Sequence, residues 1–184
     1  NFPVLIDGVY SYLANTANGG QVTSTNFAYD VGFYTNPNCS TGKMNWEQEK
    51  HATTTGTVSY WVKVASLSTT TNTTFYMCYG NPSITTDQST ATSVWDSNFQ
   101  GVWHLKDGTT LGALDSTSNA NNGTLTNTPT ATAGQIDGAG GFVTASDQYA
   151  DLGNPASLQI TGNLTISAWI YLTAVGAAGD VDII

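Results

Sequence analysis

The chain has 184 residues, 40% of them hydrophobic and only 9% charged, against about 25% charged in an average globular protein. That length suits one large domain or two small ones. Thirteen acids face four lysines, Lys43, Lys50, Lys63 and Lys106, and the formal net charge of −9 with no arginine argues against nucleic acid and anionic membrane surfaces, which need clustered basic side chains.

No apolar run reaches the roughly 18–20 residues of a membrane span, so membrane insertion is not expected. The opening "NFPVLID" reads as the middle of a strand and lacks the charged and apolar regions expected of a signal peptide. A fragment, or a mature piece of a longer surface protein, is the expectation. Short runs rich in Val, Ile, Thr, Tyr, Phe and Trp alternate with Gly, Asn, Ser, Thr and Asp clusters, with no long helical periodicity. That pattern predicts an all-β chain of β-sandwich type.

In chain order, strands are predicted at 3–6, 28–34, 45–50, 57–64 and 73–79, then at 101–105, 141–142 with its flank, 149–152 and 164–172. Residues 10–14 could form a short helical turn. In "TVSYWVKV" Val58, Tyr60, Val62 and Val64 fall on one face, opposite Trp61 and Lys63. In "LTISAWIYL" Leu164, Ile166, Ala168, Ile170 and Leu172 oppose Thr165, Ser167, Trp169 and Tyr171. The polar stretch 83–99 suggests a boundary, giving two β domains, residues 1–97 and 98–184.

Cys39 and Cys78 are compatible with one disulfide in an oxidising compartment, and equally with two unreactive thiols, since neither sits in a C-x-x-C or zinc spacing. Asp115, Thr117 and Asn119 stand at alternate positions, as oxygen ligands do at the start of a calcium loop. An EF-hand would need Gly and Glu where Ala120 and Thr126 stand, so that motif is rejected. A looser calcium site on Asp115 and Asn119 competes with a plain Asx-turn loop, in which Gly123 would supply a positive φ. The weight falls on the turn.

Glu47 and Glu49 share one face of a strand, the arrangement a retaining glycosidase needs at roughly 5–5.5 Å. His51 could assist, but a structural role for the pair outweighs catalysis. Neither His51 nor His104 has a triad setting, and no G-x-S-x-G, H-E-x-x-H or P-loop occurs, so a non-enzymatic protein is expected. Among five tryptophans, Trp95 and Trp103 are expected to pack at the boundary. Trp61 and Trp169 are the better candidates for exposed sugar platforms, with Asn119 and Asn122 reading hydroxyls, although core packing is the commoner use of a large aromatic.

Three features of the first half occur together: the E-x-E of Glu47 and Glu49, the W-V-K-V of Trp61 to Val64, and the Y-G-N of Tyr79, Gly80 and Asn81. In this combination residues 1–97 resemble a domain family of unknown function found in bacterial and archaeal surface proteins and in phage-encoded proteins. The second half, through "GVWHL", "DSTSNANNGTLTN", "AGQIDGAGGF" and "QYADLGNPASLQITGNLTISAWIYLT", is similar to the N-terminal part of laminin-G-like, concanavalin A-like jelly rolls. That resemblance implies carbohydrate or protein recognition, sometimes calcium-assisted. The chain stops at "GDVDII", where such jelly rolls continue, so the second sandwich is expected to be incomplete.

The resulting expectation is an extracellular, cell-surface or virion-surface module for adhesion or glycan recognition, with a glycan or a surface protein as partner. The first alternative is a structural fibre or appendage subunit, a homo-oligomer with no small ligand. The second is a concanavalin-like glycoside hydrolase using Glu47 and Glu49.

Overall fold

The computed structural model describes residues 1–24, 28–106 and 110–173. Among the described residues, nine strands and a single short α-helix form an all-β fold: β1 (Phe2–Val9), β2 (Gly32–Tyr34), β3 (Trp46–Ala52), β4 (Thr57–Val64), β5 (Tyr76–Cys78), α1 (Ala91–Val94), β6 (Thr124–Thr126), β7 (Thr130–Ala133), β8 (Gly138–Gly141) and β9 (Tyr149–Asp151). Every ladder is antiparallel.

The largest sheet has the order β1-β4-β3, with β4 in the middle. Its alternation is the one visible in the sequence: Val58, Tyr60, Val62 and Val64 are buried, while Trp61 and Lys63 on the other face are only half-buried. The β3–β4 hairpin closes through Gly56, whose φ of +73° belongs to the left-handed region. A Cβ there would also lie 2.0 Å from the Tyr10 carbonyl oxygen, so two independent constraints demand glycine.

A smaller β2–β5 sheet faces this one. Between them lies the core, in which Phe33 from β2, Trp46 from β3 and Tyr60 from β4 make mutual edge-to-face contacts with centroids 5.2–5.8 Å apart. Such pairs add about 0.5–1.5 kcal/mol each beyond the area they bury. The polar atoms of these rings are satisfied. The Trp46 indole N–H donates to the Gln88 carbonyl at 3.1 Å. The Tyr60 hydroxyl donates to His51 Nδ1 at 2.5 Å, and His51 Nε2 donates to the Leu13 carbonyl at 2.8 Å. This relay assigns His51 as a neutral imidazole protonated at Nε2. Burial pushes its pKa down, against the opposing pull of the Leu13 carbonyl and Asp30.

His51 reaches the core only because β3 carries a β-bulge between Gln48 and Lys50. Trp46 and Gln48 pair with the inward Val62 and Tyr60, whereas beyond the bulge Lys50 pairs with the outward Ser59 and His51 with the inward Val58. The bulge reverses the parity of the strand. It leaves Glu47, Glu49 and Lys50 on the outer face.

Cys39 and Cys78 are joined in a disulfide, their Cα atoms 6.3 Å apart, which ties the loop after β2 to the end of β5. Closing a loop of 39 residues in the unfolded chain corresponds to a stabilisation of about 4 kcal/mol by chain entropy.

Beyond residue 122 the strands pair two by two, β6 with β9 and β7 with β8. Lys50 forms an ion pair with Asp137, linking β3 to the β7–β8 turn. Two predicted strands take another form. Residues 101–105 contribute only the isolated bridge Trp103–Asp115. Residues 164–172 have no ladder partner among the described residues and lie exposed, Leu164, Ile166, Ile170 and Leu172 included. Their alternation specifies two faces, but a strand also needs a neighbour to bond its backbone.

Candidate functional site

The outer face of β3 and β4 carries the densest titratable cluster among the described residues. Glu47 stands directly opposite Trp61 in the ladder, and Glu49, two residues on, lies on the same side, at the bulge. The Trp61 indole N–H donates to Glu49 Oε2 at 2.6 Å. Trp95, placed just after α1, donates its indole N–H to Glu47 Oε2 at 2.8 Å. The Ser116 hydroxyl donates to Glu47 Oε1 at 2.5 Å. His104 lies between the two acids, with Nε2 3.2 Å from Glu47 Oε2 and Nδ1 3.1 Å from Glu49 Oε2.

Both ring nitrogens of His104 face carboxylate oxygens, so both must carry hydrogen and the ring is an imidazolium. Burial alone would lower its pKa; the hydrogen bonds and charges of Glu47 and Glu49 outweigh that and raise it to about 9. Burial likewise pushes the Glu47 carboxyl up, and His104, Ser116 and Trp95 together hold it below the usual carboxylate range. The imidazolium is also flanked by indoles. It stacks on Trp61 (5.9 Å, 28°) and leans on Trp95 (5.8 Å, 50°), within reach of a cation–π attraction.

The side chains of Glu47 and Glu49 are each 3% exposed, and that of His104 is 7% exposed. Glu47 spends both oxygens on Ser116, Trp95 and His104, and Glu49 shares Oε2 between Trp61 and His104. A general acid or base has to present its oxygen to a substrate, and Glu47 presents neither of its two. The arrangement fastens Trp95, His104 and Ser116 to the sheet. The expected exposure of Trp61 is therefore corrected: the ring is half-buried, packed on His104 and Trp95, because its N–H is needed by Glu49.

The Asp115 loop lies beside this cluster. Asp115 Oδ1 accepts from the N–H groups of Val102 and Thr117, both at 2.9 Å. Oδ2 accepts from the Thr117 hydroxyl at 2.7 Å and the Asn121 N–H at 2.9 Å. Burial raises the carboxyl, and these donors outweigh it and lower its pKa. A cation placed among them would meet the positive ends of N–H bonds, so in this conformation Asp115 organises an Asx turn. Asn119 Nδ2 donates to the carbonyls of Phe99 and Gln100, and Asn122 Oδ1 accepts from the Asp115 N–H. The positive φ of the loop falls on Ala120 (+53°), not on Gly123. Gly123 is instead required by packing, since a Cβ there would lie 2.9 Å from that of Ala113. Trp169 is 76% exposed, and no described contact joins it to Asn119 or Asn122.

Sequence reasoning did not single out Trp95, His104 or Ser116 as partners of the E-x-E pair, nor the second feature of the surface. This is a groove of about 430 Å³ at the end of the two sheets, where β4 ends, β2 ends and β5 is about to begin. Thr35, Thr73, Thr74, Phe75, Lys43 and Lys63 are among the residues that line it, with the Phe75 ring half-buried against the core. Lys43 donates to Gln88 Oε1 at 2.8 Å and Lys63 to the Ser93 carbonyl at 2.9 Å.

A family model described as Domain of unknown function (DUF2341) matches residues 26–122. The match runs past residue 97 and takes in β2 to β5, both cysteines, the Glu47–His104–Glu49 cluster and the Asp115 turn. No curated protein matches the chain, and no solved structure does.

Proposed function

The chain belongs to the family Domain of unknown function (DUF2341), and from that footing we propose that it is a non-enzymatic recognition module that binds saccharide in the groove at the end of its two sheets. The observation that carries the reading is a contrast between the two polar sites. The buried acids and His104 are engaged with one another and with protein donors, whereas the groove is an open recess whose lining includes Thr74, Ser66 and the aromatic Phe75. Sugars are recognised by that pairing, a flat ring against their C–H face and polar side chains against their hydroxyls.

Two further features support a place outside the cell or on a virion. A Cys39–Cys78 bridge persists in oxidising compartments. A surface rich in Ser, Thr and Asn and poor in charge suits a module whose ligand is neutral or hydroxylated. Trp169, at 76% exposure, offers a second aromatic face. A glycan-array screen of the chain, run with calcium and with a chelator, tests the reading. Binding that Phe75→Ala removes while Trp169→Ala spares it supports the groove. Binding lost only in Trp169→Ala moves the site to residues 164–172, and no binding to any glycan overturns the reading.

A structural subunit of a fibre is the second reading. It is supported by the exposed apolar row of residues 164–172, which has the alternation of a strand and no partner among the described residues. Sedimentation of the chain at rising concentration tests it, and a monomer throughout would refute it.

A further inference from the structure

We infer that the outer face of the β2–β5 sheet is a second saccharide-contact surface, apart from the groove, on which the rings of Tyr34 and Tyr76 meet the C–H face of a neutral sugar. The ladder fixes where these side chains lie. Phe33 and Met77 pair with each other and pack into the core, so Tyr34 and Tyr76, paired one position on, point away from it. Tyr34 also stands opposite Lys43 in an isolated bridge, which sets Lys43, Tyr34 and Tyr76 in one row across the face. With strands ~4.8 Å apart, the row is about 10 Å long. Neither tyrosine lines the groove.

Gly32 gives the Tyr34 ring its seat. A Cβ at position 32 would lie 3.0 Å from Tyr34 Cε2, 3.4 Å from its Oη and 3.5 Å from its Cζ, so the outer part of the ring fills the space of the missing side chain. Cys78, opposite Gly32, is bridged to Cys39, which pins the strand pair beneath the ring. A surface held in this way has less freedom to lose when a ligand binds. Tyr76 is 38% exposed. Neither ring stacks on another among the described residues, and neither hydroxyl has a hydrogen bond there, whereas Tyr12 lies against both Tyr10 and Tyr79 with centroids 5.6–5.7 Å apart. A ring with its hydroxyl uncommitted suits a ligand that offers both C–H surface and hydroxyls. Area decides against a protein partner: two tyrosine side chains supply at most about 500 Å², below the ~800 Å² per partner of a stable protein interface.

The test is a printed array of neutral mono- to hexasaccharides, probed with the whole chain and with Tyr34→Ala, Gly32→Ala and Phe75→Ala, each checked for folding by far-UV circular dichroism. At least one glycan is expected to bind through this face: Tyr34→Ala weakens it about tenfold, as loss of one ring contact implies, and Phe75→Ala leaves it unchanged. Gly32→Ala keeps both tyrosines but displaces the Tyr34 ring, and is expected to weaken the same glycan by about threefold or more. Glycans lost in Phe75→Ala and indifferent to Tyr34→Ala and Gly32→Ala would overturn the second surface and leave the groove reading standing. Self-association that Tyr34→Ala abolishes, with no glycan dependent on Tyr34, would give the face to a second copy and overturn the inference. Binding of no glycan at all would overturn it together with the groove reading.

Discussion

Replacing His104 by alanine removes the only cation between two buried carboxylates. Glu47 would keep Ser116 and Trp95, and Glu49 would keep Trp61, but neither would retain a charge of opposite sign within ion-pair distance among the described residues. The rise of the His104 pKa from 6.5 to about 9 corresponds to ~3 kcal/mol of preference for the charged ring in the folded state. Removing one member of a buried charged set costs about 3–5 kcal/mol by a separate line of experience. The two figures agree, and His104→Ala is expected to cost ~4 kcal/mol, or about 10 °C in Tm for a chain of this size. Urea denaturation followed by tryptophan fluorescence is the assay, because Trp61 and Trp95 touch the perturbed ring. A loss below about 1 kcal/mol would refute the account, since the cluster would then not fasten Trp95, His104 and Ser116 to the sheet. The companion variant Glu47→Gln/Glu49→Gln/His104→Gln, with no charge left to strand, is expected to lie closer to the parent than His104→Ala does.

The same cluster sets a pH dependence. His104 has a folded pKa above its unfolded one, so its contribution is full below about pH 6.5 and is lost as pH rises through about 9. Glu47 has a folded pKa below its unfolded one, so its contribution is present above about pH 4.5 and is lost on acidification. A Tm profile should therefore decline on the alkaline side of about pH 6.5 as His104 loses its proton, and also on acidification below it, where Glu47 and the buried neutral His51 lose their contributions; a flat profile from 6 to 9 would contradict the assignment. Reduction of the Cys39–Cys78 bridge should lower stability by about 4 kcal/mol, read as a shift in the urea midpoint with and without reductant. Asp115→Asn should cost about 2 kcal/mol, because an amide N–H₂ would confront N–H donors on one side of the turn, and thermal unfolding measures it. Gly56→Ala should cost more than about 2 kcal/mol, since the new Cβ meets the Tyr10 carbonyl; a neutral result would mean the hairpin turn relaxes freely.

The all-β class and the buried face of β4 were legible because a period of two is written in the chain: Val58, Tyr60, Val62 and Val64 are inward, as their spacing implies. Glu47 and Glu49 were also placed together by that rule. Their partner was not, for two reasons. A bulge is a property of a strand pair, so its reversal of parity between Gln48 and Lys50 leaves no mark in one strand read alone. His104 lies 57 residues from Glu47, and nothing local in "VWHL" shows that its ring will sit between two acids. What could have pointed to it was the need itself: two carboxylates on a strand flanked by aromatic residues require a cation, and few were available. The same limit explains residues 164–172, whose alternation is clear and whose neighbour the sequence does not specify.

The bulge in β3 also gives the protein two histidines in opposite protonation states at neutral pH. On the outward side the strand supplies the acids that keep His104 cationic, and on the inward side it carries His51 into the core, where burial keeps it neutral. A charge count that treats both as neutral therefore gives one negative charge too many. Near pH 7 the two rings would give distinct and nearly invariant nitrogen resonances, a built-in pair of reporters on either side of a single strand.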